Sequence, residues 1–261
     1  MEAPFAGKVA LVTGAGSGIG AAVARRIFDQ GAASVALADI DAATVRAVAA
    51  ESPVAWPLPL DVADAAQVND AMARVVQDHG RLDVVVHAAG VDDPDAKQMI
   101  ADALVAGRIP DVTTRIEDAA WRRVLSVNLD GTFHVLRAAL RAMIPCRSGA
   151  IVIVGSSASF DAPAGYGHYC ASKAGVHALS QSVAKEAIAF GVRVNVVAPG
   201  PTDTGMAVRT PDALRASMSD PRARPYATPE EIADVALFLA GDAAANLVGA
   251  VLLANGGRFT V

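Results

Sequence analysis

Short runs of Val, Ile and Leu recur along the chain, separated by Ala-rich amphipathic stretches. The runs are Val9–Val12, Val35–Ala38, Leu58–Leu60, Val84–Val86, Ile151–Val154, Val192–Val197 and Val251–Leu253. Between them lie stretches with helical periodicity, such as Gly20–Gln30 and Ala65–His79. Strands that are apolar on both faces need cover on both faces. A parallel sheet with helices on each side provides it. The expectation is a doubly wound α/β fold of about seven strands. No repeat or linker interrupts the pattern, so residues 1–261 are expected to form one domain. At 53% hydrophobic and 19% charged residues, the chain is too apolar to be disordered.

The charge balance narrows the function. With 22 Lys and Arg against 27 Asp and Glu, the formal net charge is −5. No dense basic stripe is present, which argues against nucleic acid. No apolar run reaches bilayer length. The segment Met1–Lys8 carries an acid at position 2 and does not read as a signal peptide. Cys146 and Cys170 form no CxxC pair, and a reducing, cytoplasmic setting is expected.

The first strand runs into Thr13-Gly14-Ala15-Gly16-Ser17-Gly18-Ile19-Gly20 and then a helix. Glycines let the backbone turn sharply and approach a pyrophosphate, and the helix N-terminus offers free N–H groups. A Gly-rich turn alone is also an ordinary strand-to-helix connection. Asp39, at the end of the second strand, is placed to accept hydrogen bonds from both ribose hydroxyls of NAD. A 2′-phosphate would meet its charge, and Ser17 stands where a basic residue would grip that phosphate. Asp39 can alternatively be read as a helix cap, and Asp41 is read as one. Asp61 can meet the adenine amine or simply form a turn.

Tyr169-Cys170-Ala171-Ser172-Lys173 opens a helical stretch, and the i, i+4 spacing puts Tyr169 and Lys173 on one face. A nearby ammonium stabilises a phenolate and suits Tyr169 to proton transfer. Tyr166 has Cys170 at i+4 and lacks such a partner. Upstream, the strand Ile151–Val154 ends in Gly155-Ser156-Ser157, and either serine can donate to a substrate oxygen.

These residues together resemble the classical short-chain dehydrogenase/reductase family, which has a Rossmann-type fold. The family's TGxxxGxG pattern matches Thr13, Gly14, Gly18 and Gly20. Its YxxxK matches Tyr169 and Lys173, and its serine, 13 positions earlier, falls on Ser156. Its helix asparagine falls on Asn128, and its PG segment matches Pro199 and Gly200. The resemblance implies a catalytic set of Asn128, Ser156, Tyr169 and Lys173. Tyr169 would exchange the proton, and Ser156 would polarise the substrate oxygen. Lys173 would hold the nicotinamide ribose, and Asn128 would position a water. It implies cofactor contacts from Gly14, Ser17, Gly18, Ile19, Gly20, Asp39, Ile40, Asp61, Val62, Ala88, Gly90, Tyr169, Lys173, Pro199, Thr202 and Thr204.

The implied activity is an NAD-dependent interconversion of a secondary alcohol and a ketone, the substrate being hydrophobic and in one reading cyclic. Alternatives are a 3-oxoacyl-thioester reductase and a catalytically silent NAD-binding sensor. The resemblance also implies a homotetramer, with the alanines at 138–142 and 174–189 allowing close helix packing and Asn255–Val261 at an interface. No metal is expected, since His79, His134, His168 and His177 show no ligand spacing with His87.

Two departures stand out. His87-Ala88-Ala89-Gly90 replaces the family's Asn-Asn-Ala-Gly, and His87 is expected to take over bracing of the sheet through a ring nitrogen. The connection from Gly90 to Asn128 is longer than usual by about fifteen residues. The extra material, within 92–114, carries helical periodicity over Ala96–Ala106 with Met99, Ile100, Ala103 and Leu104 as its stripe, ended by Gly107. It is expected to cap the substrate pocket, or else to lie at the periphery or between subunits. The family's substrate lid corresponds to Thr204–Thr228. There Met206, Val208, Leu214 and Met218 can grip an apolar substrate. Arg209, Arg215, Arg222 and Arg224 can meet an anion or simply be solvated.

Overall fold

The computed structural model describes residues 3–218, 223–224 and 226–261. Seven strands form one parallel sheet: β1 (Val9–Thr13), β2 (Ser34–Asp39), β3 (Ala55–Pro59), β4 (Val84–His87), β5 (Gly149–Val154), β6 (Val192–Pro199) and β7 (Val251–Ala254), in the order β3-β2-β1-β4-β5-β6-β7. The long helices are α1 (Gly18–Asp29), α2 (Ala42–Ala49), α3 (Ala65–His79), α4 (Pro94–Val105), α5 (Asp118–Leu125), α6 (Gly131–Met143), α8 (Gly167–Ala187) and α11 (Pro229–Ala240). Three shorter ones are α7 (Ala158–Asp161), α9 (Gly205–Val208) and α10 (Asp212–Ser217).

Alternation along each strand divides the core. Ala10, Val12, Val35 and Leu37 face α1, α2 and α11, where they meet Ile27, Val45 and Ile232. Val9, Leu11, Ala36 and Ala38 face α3, α6 and α8, where they meet Val75, Leu136 and Val176. Leu11 is fully buried, and truncating it to Ala would cost about 2–5 kcal/mol.

The third strand differs from its expected range. It runs Ala55–Pro59, and Leu60 lies past its end with its N–H on the Asp39 carbonyl. Pro57 and Pro59 lack the N–H that a central strand needs, so this strand belongs at an edge, where the structure puts it. Ala138 and Ala139 also depart from expectation. Both are buried against the chain's own sheet, not displayed on an outer face. Ala171, Ala174 and Ala178 of α8 are exposed instead, as are Trp121 and Phe133.

The strand order reverses between β1 and β4. Their following loops therefore diverge and open a crevice at the C-terminal edge of the sheet. The insert's helix begins at Pro94, with Asp93 accepting from the Asp95 N–H as its N-cap, and Gly107 closes it with φ +62°. Its buried side is Ala96, Lys97, Ile100, Ala101 and Ala103, while Leu104 is partly exposed. This side packs with Val112, Leu214 and Met218 into a third apolar cluster separate from the two sheet faces. Pro221, Arg222 and Pro225 of the expected lid lie outside the described residues. Among the described residues, no helix is long and apolar enough to cross a membrane.

Candidate active site

A cavity of about 950 Å³ runs along this edge from the glycine loop to the insert. Every expected site residue lines it except Asn128. At one end, Gly14 takes φ +67°, and a Cβ there would lie 2.7 Å from the Ala89 nitrogen. The loop must therefore pass this close to the chain leaving β4. Ser17 caps α1 in an extended conformation without a side-chain hydrogen bond. The N–H groups of the first turn thus stay available to an anion.

Asp39 holds the loop's shape. One carboxylate oxygen accepts from Gly16 N–H at 2.9 Å and the other from Asp41 N–H at 3.0 Å. Lone pairs remain on both oxygens. Asp41 caps α2, accepting from Ala43 and Thr44 N–H. Asp61 uses one oxygen to accept from Ala63 N–H at 2.9 Å, the turn reading, and its other oxygen makes no such bond. A glycine cradle, a helix start with free donors and an acid at the end of the second strand fit a dinucleotide.

At the other end, the fold brings Ser156, Tyr169 and Lys173 to one wall. Ser156 follows β5, and Ser157 continues the ladder by donating to the Pro199 carbonyl at 2.8 Å. Burial pushes the Tyr169 phenol up to about 12, with the Ser156 hydroxyl pulling the other way and Asp92 adding to the rise. Burial draws Lys173 down to about 8, and its ammonium donates to the Val154 carbonyl at 2.9 Å. A Cβ on Gly90 would sit 3.4 Å from that nitrogen.

Asn128 stands behind this wall. It sits in a π-helical turn (Ser126–Asp130) between α5 and α6 and is 1% exposed. Its Oδ1 accepts from Val91 N–H at 2.8 Å. Its Nδ2 donates to the Val91 carbonyl at 3.0 Å and to Ser172 Oγ at 3.1 Å. The side chain thus clamps the segment after Gly90 onto α8, and both amide hydrogens are engaged.

Several polar groups near the site were not expected. His177 is one turn beyond Lys173 on the same face of α8, and that i+4 spacing is the signal that could have found it. Its Nε2 accepts from Ser156 N–H at 3.3 Å. Burial, helped by the Lys173 charge, pulls it down to about 4, which keeps the ring a neutral acceptor. His168 Nε2 lies 3.2 Å from Asp93, both buried, where α8 meets the insert. Asp92 and Lys97 line the cavity from the insert, together with Ile100, Leu104 and Pro110. A lysine within the apolar face of α4 was the available signal.

The lid contributes Met206, Arg209, Leu214 and Met218 to the lining, while Val208 is 70% exposed. Of the lid arginines, Arg215 donates to the Ala207 carbonyl at 2.6 Å and Arg224 pairs with Glu231 at 2.7 Å on the surface. Arg258 and Phe259 of the C-terminal segment also line the cavity.

The model of the short chain dehydrogenase family matches residues 8–214. The chain belongs to the classical short-chain dehydrogenase/reductase family. It is an oxidoreductase of a family that binds nicotinamide cofactors. It is 40% identical to cis-4-hydroxycyclohexanecarboxylate dehydrogenase of Sinomonas cyclohexanicum, with 100% of both chains aligned. It is 36% identical to the 3-oxoacyl-(acyl-carrier-protein) reductase FabG of Thermotoga maritima, over 96% of this chain and 97% of the relative. Identity to D-threitol dehydrogenase of Mycolicibacterium smegmatis is 38%, over 96% and 92%. The crystal structure of gox2181 superposes with a TM-score of 0.85 at 28% identity, covering 98% of this chain and 97% of that one. Among the described residues, no three His, Cys, Asp or Glu side chains are grouped to hold a metal.

Proposed function

We propose that this short-chain dehydrogenase uses NAD(H) to interconvert a ring-bearing secondary alcohol and its ketone. The carrying observation is the single cavity with Asp39 at one end and Tyr169, Ser156 and Lys173 at the other. The Asp39 carboxylate would accept from the ribose hydroxyls of NAD. The 2′-phosphate of NADP would bring like charges together. The free N–H groups at Gly18, Ile19 and Gly20 would face the pyrophosphate, and Thr202 and Thr204 would hold the nicotinamide end.

Held by Lys173, Thr202 and Thr204, a nicotinamide would supply the hydride chemistry. Ser156 donates a hydrogen bond to the substrate oxygen, and Tyr169 takes the alcohol proton or gives it back to the ketone. Two donors placed in advance stabilise the charge that develops on that oxygen. Lys173, still an ammonium below about pH 8, would favour the phenolate of Tyr169 against the burial that raises it. Asn128 acts behind them by fixing Val91 and the start of α8.

The ring alcohol is supported by the full-length relative named for cis-4-hydroxycyclohexanecarboxylate. It is also supported by the apolar lining from Ile100, Leu104, Met206, Leu214 and Met218. Arg209 would meet a substrate carboxylate. Its guanidinium, 58% exposed, is 3.8 Å from Asp92, whose charge Lys97 already meets. The test is NADH formation from cis-4-hydroxycyclohexanecarboxylate, cyclohexanol and a 3-hydroxyacyl thioester. The ring acid should give the highest kcat/KM, and Arg209→Ala should erase its advantage over cyclohexanol. A preference for the thioester would favour the reductase reading that the FabG relatives support. A homotetramer in the cytoplasm, with exposed Trp121, Phe133 and the α8 alanines covered by neighbouring copies, completes the proposal.

A further inference from the structure

We propose that Lys97 is a specificity-determining residue: it ties the substrate lid to the insert and so fixes the size of the alcohol that the pocket admits. The reading rests on the alcohol-binding role proposed above for this end of the cavity.

Lys97 lies on the buried side of α4, and its side chain is 7% exposed. A buried ammonium is costly unless its charge is met and its hydrogens are bonded. All three partners are present. The Asp92 carboxylate is at 2.5 Å, the Met206 carbonyl at 3.1 Å and Thr210 Oγ1 at 2.9 Å. One partner therefore belongs to the insert and two to the lid, more than a hundred residues further along the chain. The ammonium thus sends two hydrogen bonds to the lid, and the Asp92 carboxylate meets its charge.

The clasp continues into the reacting end of the cavity. Asp92 follows Val91, which Asn128 holds from both its N–H and its carbonyl. Below the clasp, Ile100 packs in one apolar cluster with Leu214 of the lid. Lys97, Met206 and Thr210 all line the cavity. A shift of α9 away from α4 would therefore enlarge the pocket where a ring substrate sits. With the clasp made, the lid is docked before substrate arrives. The apparent affinity for a small alcohol then carries no penalty for ordering it.

Lys97→Met keeps the stem and removes the donors. Because it leaves the buried Asp92 carboxylate facing only the Arg209 guanidinium, 3.8 Å away, the double variant Lys97→Met with Asp92→Asn accompanies it. If the lid is docked in one molecule in ten, KM for a small ring alcohol should rise about tenfold. The Kd for NADH should stay within about twofold, because Lys97 bonds Met206 and Thr210 and not the cofactor end; kcat is compared for Lys97→Met alone, since Asp92→Asn also removes a charge that raises the Tyr169 phenol. Alcohols with a larger ring system should lose less and gain in relative kcat/KM. Trypsin cleavage after Arg209 and Arg215 should accelerate in both variants by a similar factor. This readout needs no turnover, so it separates failure of the clasp from failure of the proposed alcohol chemistry. Unchanged trypsin cleavage in both variants would overturn the proposal. So would equal losses in substrate and NADH affinity, which would mark Lys97 as a general stabiliser.

Discussion

His87 Nδ1 lies 2.7 Å from Thr13 Oγ1, tying the ends of β4 and β1 where the strand order reverses. On the other side of the ring, Nε2 lies 3.1 Å from Thr132 Oγ1. Thr132 uses its only hydroxyl hydrogen on the Asn128 carbonyl at 2.6 Å, so it must accept from His87. That assigns the neutral ring with its hydrogen on Nε2. Thr13 then donates to Nδ1 and accepts from Ala89 N–H at 3.3 Å. The chain of bonds runs from the glycine loop's strand to the turn that holds Asn128.

Removing this ring should cost stability before it costs chemistry. His87→Ala leaves two buried hydroxyls without their partner and opens a cavity, a loss of roughly 2–4 kcal/mol. His87→Asn can restore one or both bonds and should lose less. Urea unfolding of the three proteins at pH 7 measures the difference.

The same ring sets a pH dependence. Burial pulls His87 down to about 3 in the folded chain, from 6.5 when unfolded. A depressed histidine binds its proton in the unfolded state first. Its contribution is therefore present above pH 6.5 and is lost as pH falls toward 3. The slope is at most about 1.4 kcal/mol per pH unit for this group. His177, at about 4, acts in the same direction over a narrower window. Unfolding midpoints between pH 7 and pH 4.5 should fall steeply, and less steeply in His87→Asn. Parallel curves for the two proteins would remove His87 as the cause.

Gly14 carries a backbone demand that no other residue meets cheaply. At φ +67°, a Cβ would press on backbone atoms of Ala88 and Ala89 within 3 Å. Gly14→Ala should therefore destabilise the fold by about 1–3 kcal/mol and weaken NADH binding, because loop and β4 exit must separate. Thermal melting with and without NADH reads both effects.

Asp39 should decide between the two nicotinamide cofactors. Asp39→Ser removes the carboxylate that would bond the ribose hydroxyls and repel a 2′-phosphate. NADH should bind about tenfold more weakly or worse, on the scale of a lost charged hydrogen bond, and NADPH should bind more tightly than to the parent chain. Fluorescence titration with each cofactor gives the ratio. A parent chain that already prefers NADPH would contradict the reading of this residue.

The fold was legible because strand period and helix period alternate without ambiguity. The glycine loop and the Tyr169–Lys173 spacing were legible because each is local in sequence. The edge position of β3 could have been read from Pro57 and Pro59. Asp92 and Lys97 were hidden because their meaning depends on Met206 and Thr210, which only the fold brings near. His87 could be seen as a brace, but its partner Thr132 comes from a helix on the far side of the insert. Long-range pairings of this kind leave no periodic trace in the chain.

Nicotinamide absorbance with NAD⁺ and cis-4-hydroxycyclohexanecarboxylate, comparing the parent chain with Tyr169→Phe, tests whether Tyr169 carries the proton. The parent should form NADH, and kcat/KM should fall by about 10²–10⁴ in the variant, with NADH binding retained. A variant that turns over as fast as the parent would contradict the assignment of Tyr169 and with it the proposed mechanism.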